Sequence, residues 1–265
     1  MTAPGNIGAT PQGSASAQAR LQYVLRLADT SLILGQQLTG WIGHAPALEE
    51  DLGLANVSLD LVGQARLLLA YAAQLEGRGR SEDELAFLRA PADYRCVQLV
   101  TQPNGDFADT LVRQFLFDAW QRELFERLTA SRDVRIVEIA AKALKEIEYH
   151  VRYSAGWLVR LGDGTEESHA RAQRALDQLW PFTTELCTAD ELDQLMLKQG
   201  VGPDLVDVAR AWSTRVDAVL GEATLRRPAD RPYRWFGKRG EHGEHLGYVL
   251  ADMQFLPRAY PGAAW

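Results

Sequence analysis

The chain has 265 residues, 46% of them hydrophobic and 24% charged, a composition that excludes a wholly disordered protein. Twenty-eight Lys and Arg stand against 35 Asp and Glu, a formal net charge of −7, which repels a phosphate backbone and excludes general nucleic-acid binding. Cys96 and Cys187 lie far apart with no C-x-x-C spacing, and the longest unbroken apolar run, Leu67 to Ala73, falls far short of the roughly 20 residues of a membrane span. No disulfide framework and no membrane segment are expected, and the setting reads as a reducing cytoplasm.

Met1 to Ala17 has no charged side chain and no apolar core, so it reads as a disordered extension rather than a targeting peptide, with one helical domain over 18–265. From Gln18 to about Thr39 the apolar residues Leu21, Leu25, Ala28 and Leu32 share a helix face. A second helix follows Pro46 and continues to about Glu76; its middle is apolar nearly all round, which predicts neighbours on several sides. Pro91 and Gln102-Pro103-Asn104-Gly105 then break the pattern, so Tyr94 to Val100 forms at most two turns across one end of a bundle.

Asp106, with Asp109 as a capping acid, opens a third long helix that extends to about Ala130. The fourth begins near Ser131-Arg132-Asp133 and sets Ile136, Ala140, Ala143, Ile147 and Val151 on one stripe before Gly162. Thr165 caps a fifth, from Glu166 toward Leu186 with a bend at Pro181. A capping box at Thr188-Ala189-Asp190-Glu191, a helix from Pro203 to about Thr224, and a last helix from about His242 to Phe255 complete the chain. The expected fold class is therefore all-α: a four-helix bundle of ferritin-like type with additional C-terminal helices.

Such a bundle raises the di-iron carboxylate site, which takes one Glu from each of two helices and a Glu-x-x-His from each of the other two. The spacing matters because residues three apart share a face, so a carboxylate and an imidazole reach one metal. Here the motif is off by one. His150 has Ile147 three residues before it and Glu146 four before it, Asp60 has Gly63 and Gln64 where a histidine would stand, and Asp29 and Asp118 are a methylene shorter than Glu. These five residues read as degenerate ligand positions, better explained as a buried hydrogen-bonded network than as a metal site, so no metal and no cofactor is expected.

Two further groups stand out near the C-terminus. His242 and His245, interleaved with Glu241 and Glu244, resemble a ligand box, although acids at a loop-to-helix boundary also simply favour the first turn. Arg226, Arg227, Arg231, Arg234, Lys238 and Arg239, interleaved with Tyr233, Trp235 and Phe236, form a basic aromatic stretch suited to an acidic partner or to coenzyme A phosphates, or else a solvated loop.

Several longer strings carry a family resemblance: Gly43-His44-Ala45-Pro46, Leu59-Asp60-Leu61 through Gly63-Gln64-Ala65-Arg66, Gln102 to Thr110, Glu146 to His150, Leu161 to Thr165, and Glu244-His245-Leu246-Gly247 with Met253-Gln254. From Leu21 to Trp265 the chain resembles the C subunit of the ring-1,2-phenylacetyl-CoA epoxidase (phenylacetate-CoA oxygenase) family. That resemblance implies a ferritin-like fold and a structural, non-catalytic part in phenylacetate catabolism, beside a related catalytic A subunit that holds the di-iron centre and the CoA thioester. It also implies a small B subunit and a reductase in the wider complex; whether the chain alone forms a homodimer stays open. The rival readings are a self-sufficient di-iron oxygenase or ferritin-like protein, and a CoA- or reductase-docking module in which Arg234, Lys238, Arg239, His242 and His245 touch the partner.

Overall fold

Helix-forming sequence and capping residues account for the layout of the computed structural model, which describes residues 11–231 and 236–263, with side chains from Ala15 onward. Four long helices dominate: α1 (Pro11–Leu38), α2 (Leu48–Glu76), α5 (Phe107–Leu128) and α6 (Val134–Gly162). Between α2 and α5 lie only short pieces, α3 (Glu82–Phe87) and α4 (Gln98–Thr101). Then come α7 (Glu166–Leu179), α8 (Thr184–Cys187), α9 (Glu191–Gln199), α10 (Leu205–Glu222) and α11 (Glu244–Ala259). All secondary structure among the described residues is helical.

Short connections make α1–α2 and α5–α6 neighbouring pairs, and the long passage from Gly77 to Asp106 carries the chain across the end of the bundle, the single crossover of a ferritin-like fold. The second pair packs back through α2 against α6, while α7 and α10 cover α5 and α9 lies on α1. One apolar core runs through all of them, from Leu21 and Val24 through Leu61, Phe115 and Ile147 to Trp212 and Met253.

Local sequence sets the boundaries. Asp106 and Asp109 form the expected reciprocal cap on α5, and Thr165 with Ser168 does the same for α7. The cap of α9 falls on Asp190 with Asp193, two residues later than the Thr188–Glu191 reading. At Pro181 the α-helical ladder loses a donor, and the chain tightens into a 3-10 turn over Trp180–Thr183. Helix α3 has no counterpart among the expected elements, although Ser81 and Glu84 spell its capping box. The first helix starts at Pro11, ahead of Gln18, because the Ala-rich stretch extends a helix already nucleated; only residues 1–10 of the expected extension lie outside the described ones.

Helix α2 corrects another expectation. Its inner face is buried, but Leu48, Leu52 and Leu59 are 72%, 57% and 68% exposed. By length and composition α2 is also apolar enough to cross a membrane, and half of its most apolar window is buried within this fold, as in a core helix.

The end of α6 meets the end of α10 without room for a side chain. A β-carbon on Gly162 would sit 2.1 Å from the Ala223 carbonyl oxygen. Gly162→Ala is expected to destabilise the protein by about 1–3 kcal/mol, read as a lower urea midpoint, because two helix ends must separate.

Candidate functional site

The centre of the four long helices is polar. Gln121 of α5 donates both amide protons, one to the Ser31 hydroxyl of α1 at 3.3 Å and one to Gln64 Oε1 of α2 at 3.1 Å. Gln64 in turn donates to Glu146 Oε2 of α6 at 3.0 Å. A single chain of hydrogen bonds therefore joins all four helices. Ser31, Gln64 and Gln121 are buried, whereas Glu146 is half-buried on the α6 side.

A second layer lies beside it. His150 is fully buried and its Nε2 lies 3.0 Å from Asp60 Oδ2, a carboxylate at the edge of the bundle with 37% of its side chain exposed. Burial holds the His150 pKa below the ordinary value despite the nearby Asp60 and Glu146 charges, so the ring is neutral at pH 7, with Nε2–H donating to Asp60. One helical turn onward, the Ser154 hydroxyl lies 2.9 Å from the His150 carbonyl and 2.8 Å from Asp118 Oδ2. The other Asp118 oxygen accepts from Gln114 Nε2 at 2.7 Å.

The single Ser154 hydroxyl hydrogen is shared between the His150 carbonyl and Asp118 Oδ2, so the Asp118 carboxylate has one shared hydroxyl donor and one amide donor in place of water. Asp118 is wholly buried with no cation beside it, and desolvation pushes its pKa up to about 7 against the weaker pull of its two hydrogen bonds.

Asp29 is not part of this centre. It points away from the bundle axis into a buried ion pair: Arg89 holds both its oxygens, through Nη1 at 3.0 Å and through Nη2, and the Arg95 N–H adds a bond of 2.8 Å. Arg89 completes its valence on the Leu85 and Asp93 carbonyls and stacks over the Tyr94 ring at 4.3 Å. On α1 the residue that faces the centre is Ser31, two positions on. The structure brings His150 to Asp60 and, through Ser154, to Asp118, sets Glu146 in the neighbouring layer with Gln64, and places Asp29 elsewhere; spacing alone passes over Ser31, Gln114, Gln121 and Ser154. The available signal for these four is a neutral polar residue on an otherwise apolar helix stripe.

One member of the C-terminal basic stretch is structural, while Arg226, Arg227 and Arg231 line an open cleft. Lys238 is buried, with Nζ 2.7 Å from both Asp193 Oδ2 and the Thr188 carbonyl, so it does not face a partner. Asp190 and Asp193 also take Arg26 of α1, at 2.9 and 3.2 Å, and this clamp ties α1, α9 and the C-terminal loop together. Two buried carboxylates require buried cations, which is why the lysine turns inward. Arg239 is half exposed and 3.7 Å from Asp190; Arg234 lies outside the described residues.

The two histidines do not form a ligand box. His242 precedes α11 and lies inward, with Nε2 3.0 Å from the Tyr94 carbonyl and Nδ1 4.0 Å from Cys96 Sγ. Its pKa is held down by burial. His245 lies inside α11 against Tyr248, beside a different wall of the protein. Among the described residues no group of three or more His, Cys, Asp or Glu converges as a metal-ligand set.

Known proteins share this sequence over nearly its whole length. The sequence model of the family described as phenylacetic acid catabolic protein matches residues 7–265. The C subunit of the 1,2-phenylacetyl-CoA epoxidase of Escherichia coli (strain K12) is 51% identical over 243 residues, covering 92% of this chain and 98% of that protein.

Proposed function

The chain belongs to the family of phenylacetic acid catabolic proteins, and from that premise we propose that it is the non-catalytic structural subunit of a multi-subunit phenylacetyl-CoA epoxidase. In this reading it works in the cytoplasm in phenylacetate catabolism and stabilises a related catalytic subunit that holds the iron. The observation that carries the reading is the hydrogen-bonded chain Ser31–Gln121–Gln64–Glu146. It lies at the centre of the four long helices, where only Glu146 among its four members is a carboxylate, and it cross-links them by hydrogen bonds between side chains.

The donors present do not fit a pair of iron ions. Asp29 is taken by a guanidinium, burial raises the Asp118 pKa to about 7, and the remaining carboxylates, Asp60 and Glu146, are engaged by His150 and Gln64 in separate layers. With one imidazole they fall short of the four carboxylates and two imidazoles that a di-iron site takes.

The same chain offers a surface for support. Leu48, Leu52, Leu59 and Val62 form an exposed apolar stripe along α2, and Tyr149 of α6 is 42% exposed. Contiguous exposed apolar side chains of this kind mark a protein-protein contact.

Co-expression with the catalytic subunit tests the proposal. The two chains should co-purify; Leu59→Asp should abolish co-purification while leaving the thermal midpoint of this chain unchanged, since Leu59 is outside its core. Purified alone from iron-replete cells, the chain should carry far less than one iron per molecule. About two irons per chain, as in a complete carboxylate bundle, would overturn the reading.

A further inference from the structure

The passage from α2 through α3 to α4 folds against the N-terminal half of α1 and leaves a cleft of about 520 Å³. Four arginines line it, Arg78, Arg80, Arg89 and Arg95, against two carboxylates, Glu76 and Asp93. On a chain of net charge −7 this is a local reversal of sign.

Of the acids near the cleft, Glu76 and Asp29 are paired with arginines, while Asp93 is held by a backbone N–H and keeps its charge. Glu76 grips Arg80 through two hydrogen bonds, one of 2.7 Å, and its pKa is lowered chiefly by that contact. Asp29, beneath the floor, is held by Arg89. Asp93 accepts the Ala90 N–H at 3.2 Å in a local cap. Two guanidinium groups are left for a ligand. Arg78 is exposed and has neither hydrogen bond nor ion pair among the described residues. Arg95 uses only Nη1, on the Ala92 and Tyr94 carbonyls, so its Nε and Nη2 remain without a protein acceptor. Gly77 and Gly79, at φ 65° and 75°, bracket Arg78 and take the left-handed turns that bring this loop to the cleft mouth.

We propose that this cleft binds a phosphate-bearing small molecule, with the phosphate held between Arg78 and Arg95. A guanidinium presents parallel N–H donors that match phosphate oxygens in pairs, which a scattered surface charge does not. Neighbouring Arg80 and Arg89 are locked by their carboxylates, so the walls are preorganised and the ligand need not order them. The cleft is far larger than one phosphate group requires and falls in the range of small-molecule sites, which leaves room for the organic part of a phosphate ester.

Calorimetric titration of the full chain with ADP and, separately, with inorganic diphosphate at low salt tests the site. Binding of ADP alone, or of ADP more tightly than diphosphate, identifies an organic phosphate ester as the ligand. Arg78→Ala and Arg95→Ala should each weaken ADP binding by about tenfold or more, with thermal midpoints unchanged, whereas Arg226→Ala at a separate basic cleft should have no effect. Absence of ADP binding, diphosphate binding tighter than ADP binding, or wild-type affinity in both arginine variants would overturn the proposal.

Discussion

Arg89→Ala should destabilise the protein by about 3–5 kcal/mol, a larger loss than that expected of Gly162→Ala. Arg89 and Asp29 are 4% and 0% exposed, and the guanidinium satisfies both carboxylate oxygens of its partner. Removing the cation leaves a buried anion with a single remaining donor, the Arg95 N–H. It also frees the Leu85 and Asp93 carbonyls and strips a stacked plane from Tyr94. Because Arg89 belongs to the crossover and Asp29 to α1, the loss detaches one end of the bundle from its connection. Urea unfolding measures the effect. The double variant Arg89→Ala with Asp29→Asn should recover part of it, since it removes the orphaned charge; a double variant no better than the single would show that packing, not the charge, dominates.

The opposite sign is expected at Asp118. Its folded-state pKa is raised from 3.8 to about 7, so the native protein keeps a proton that the unfolded chain releases across that interval. The contribution to stability is fully present below about pH 4 and is lost as pH rises toward 7; at about 1.4 kcal/mol per unit this amounts to about 4 kcal/mol. Asparagine reproduces the protonated acid without the titration: its amide donates to Ser154 Oγ and its oxygen accepts from Gln114. Asp118→Asn should therefore stabilise the protein by about 2–4 kcal/mol at pH 7 to 8 and by little at pH 4. His150 has a lowered pKa and works in the reverse direction, losing stability as pH falls below its ordinary value of 6.5. That contribution is common to both proteins and cancels in their difference. Equal stability of variant and wild type at pH 8 would show that the fold does not raise the Asp118 pKa above its ordinary value.

Both predictions turn on residues whose partners are distant in sequence, and this separates what could be read from what could not. Asp106, Thr165 and Pro181 act within their own turn, so the ends of α5 and α7 follow from spacing alone. The off-by-one relation of Glu146 and His150 is equally local, and the structure keeps the two residues in different layers, one with Gln64 and one with Asp60. Gln121 gives no comparable signal, because an amide on a helix becomes a cross-link only when α1 and α2 arrive beside it.

Lys238 illustrates the same limit from the other side. As a member of a basic stretch it resembles a docking surface, and nothing nearby in sequence indicates that Asp193 buries it. Likewise, Asp29 matches a ligand position by spacing, but a helix of 3.6 residues per turn rotates its face by about 100° per residue, so two positions separate a residue on the axis from one on the flank. Ser31 faces the axis and Asp29 the crossover.

Amino-acid order by itself determined the all-helical class, the spans of α2, α5 and α6, the caps of α5 and α7, the crossover and the broken ligand spacing, because each depends on contacts within a few residues. Only the tertiary structure decided which polar groups meet: the chain through Ser31, Gln121, Gln64 and Glu146, the burial that raises the Asp118 pKa, the pairing of Asp29 with Arg89, and the inward turn of Lys238. Buried polar groups must be satisfied wherever they lie, and their partners come from whichever elements packing places within about 3 Å, a relation that one-dimensional spacing does not contain.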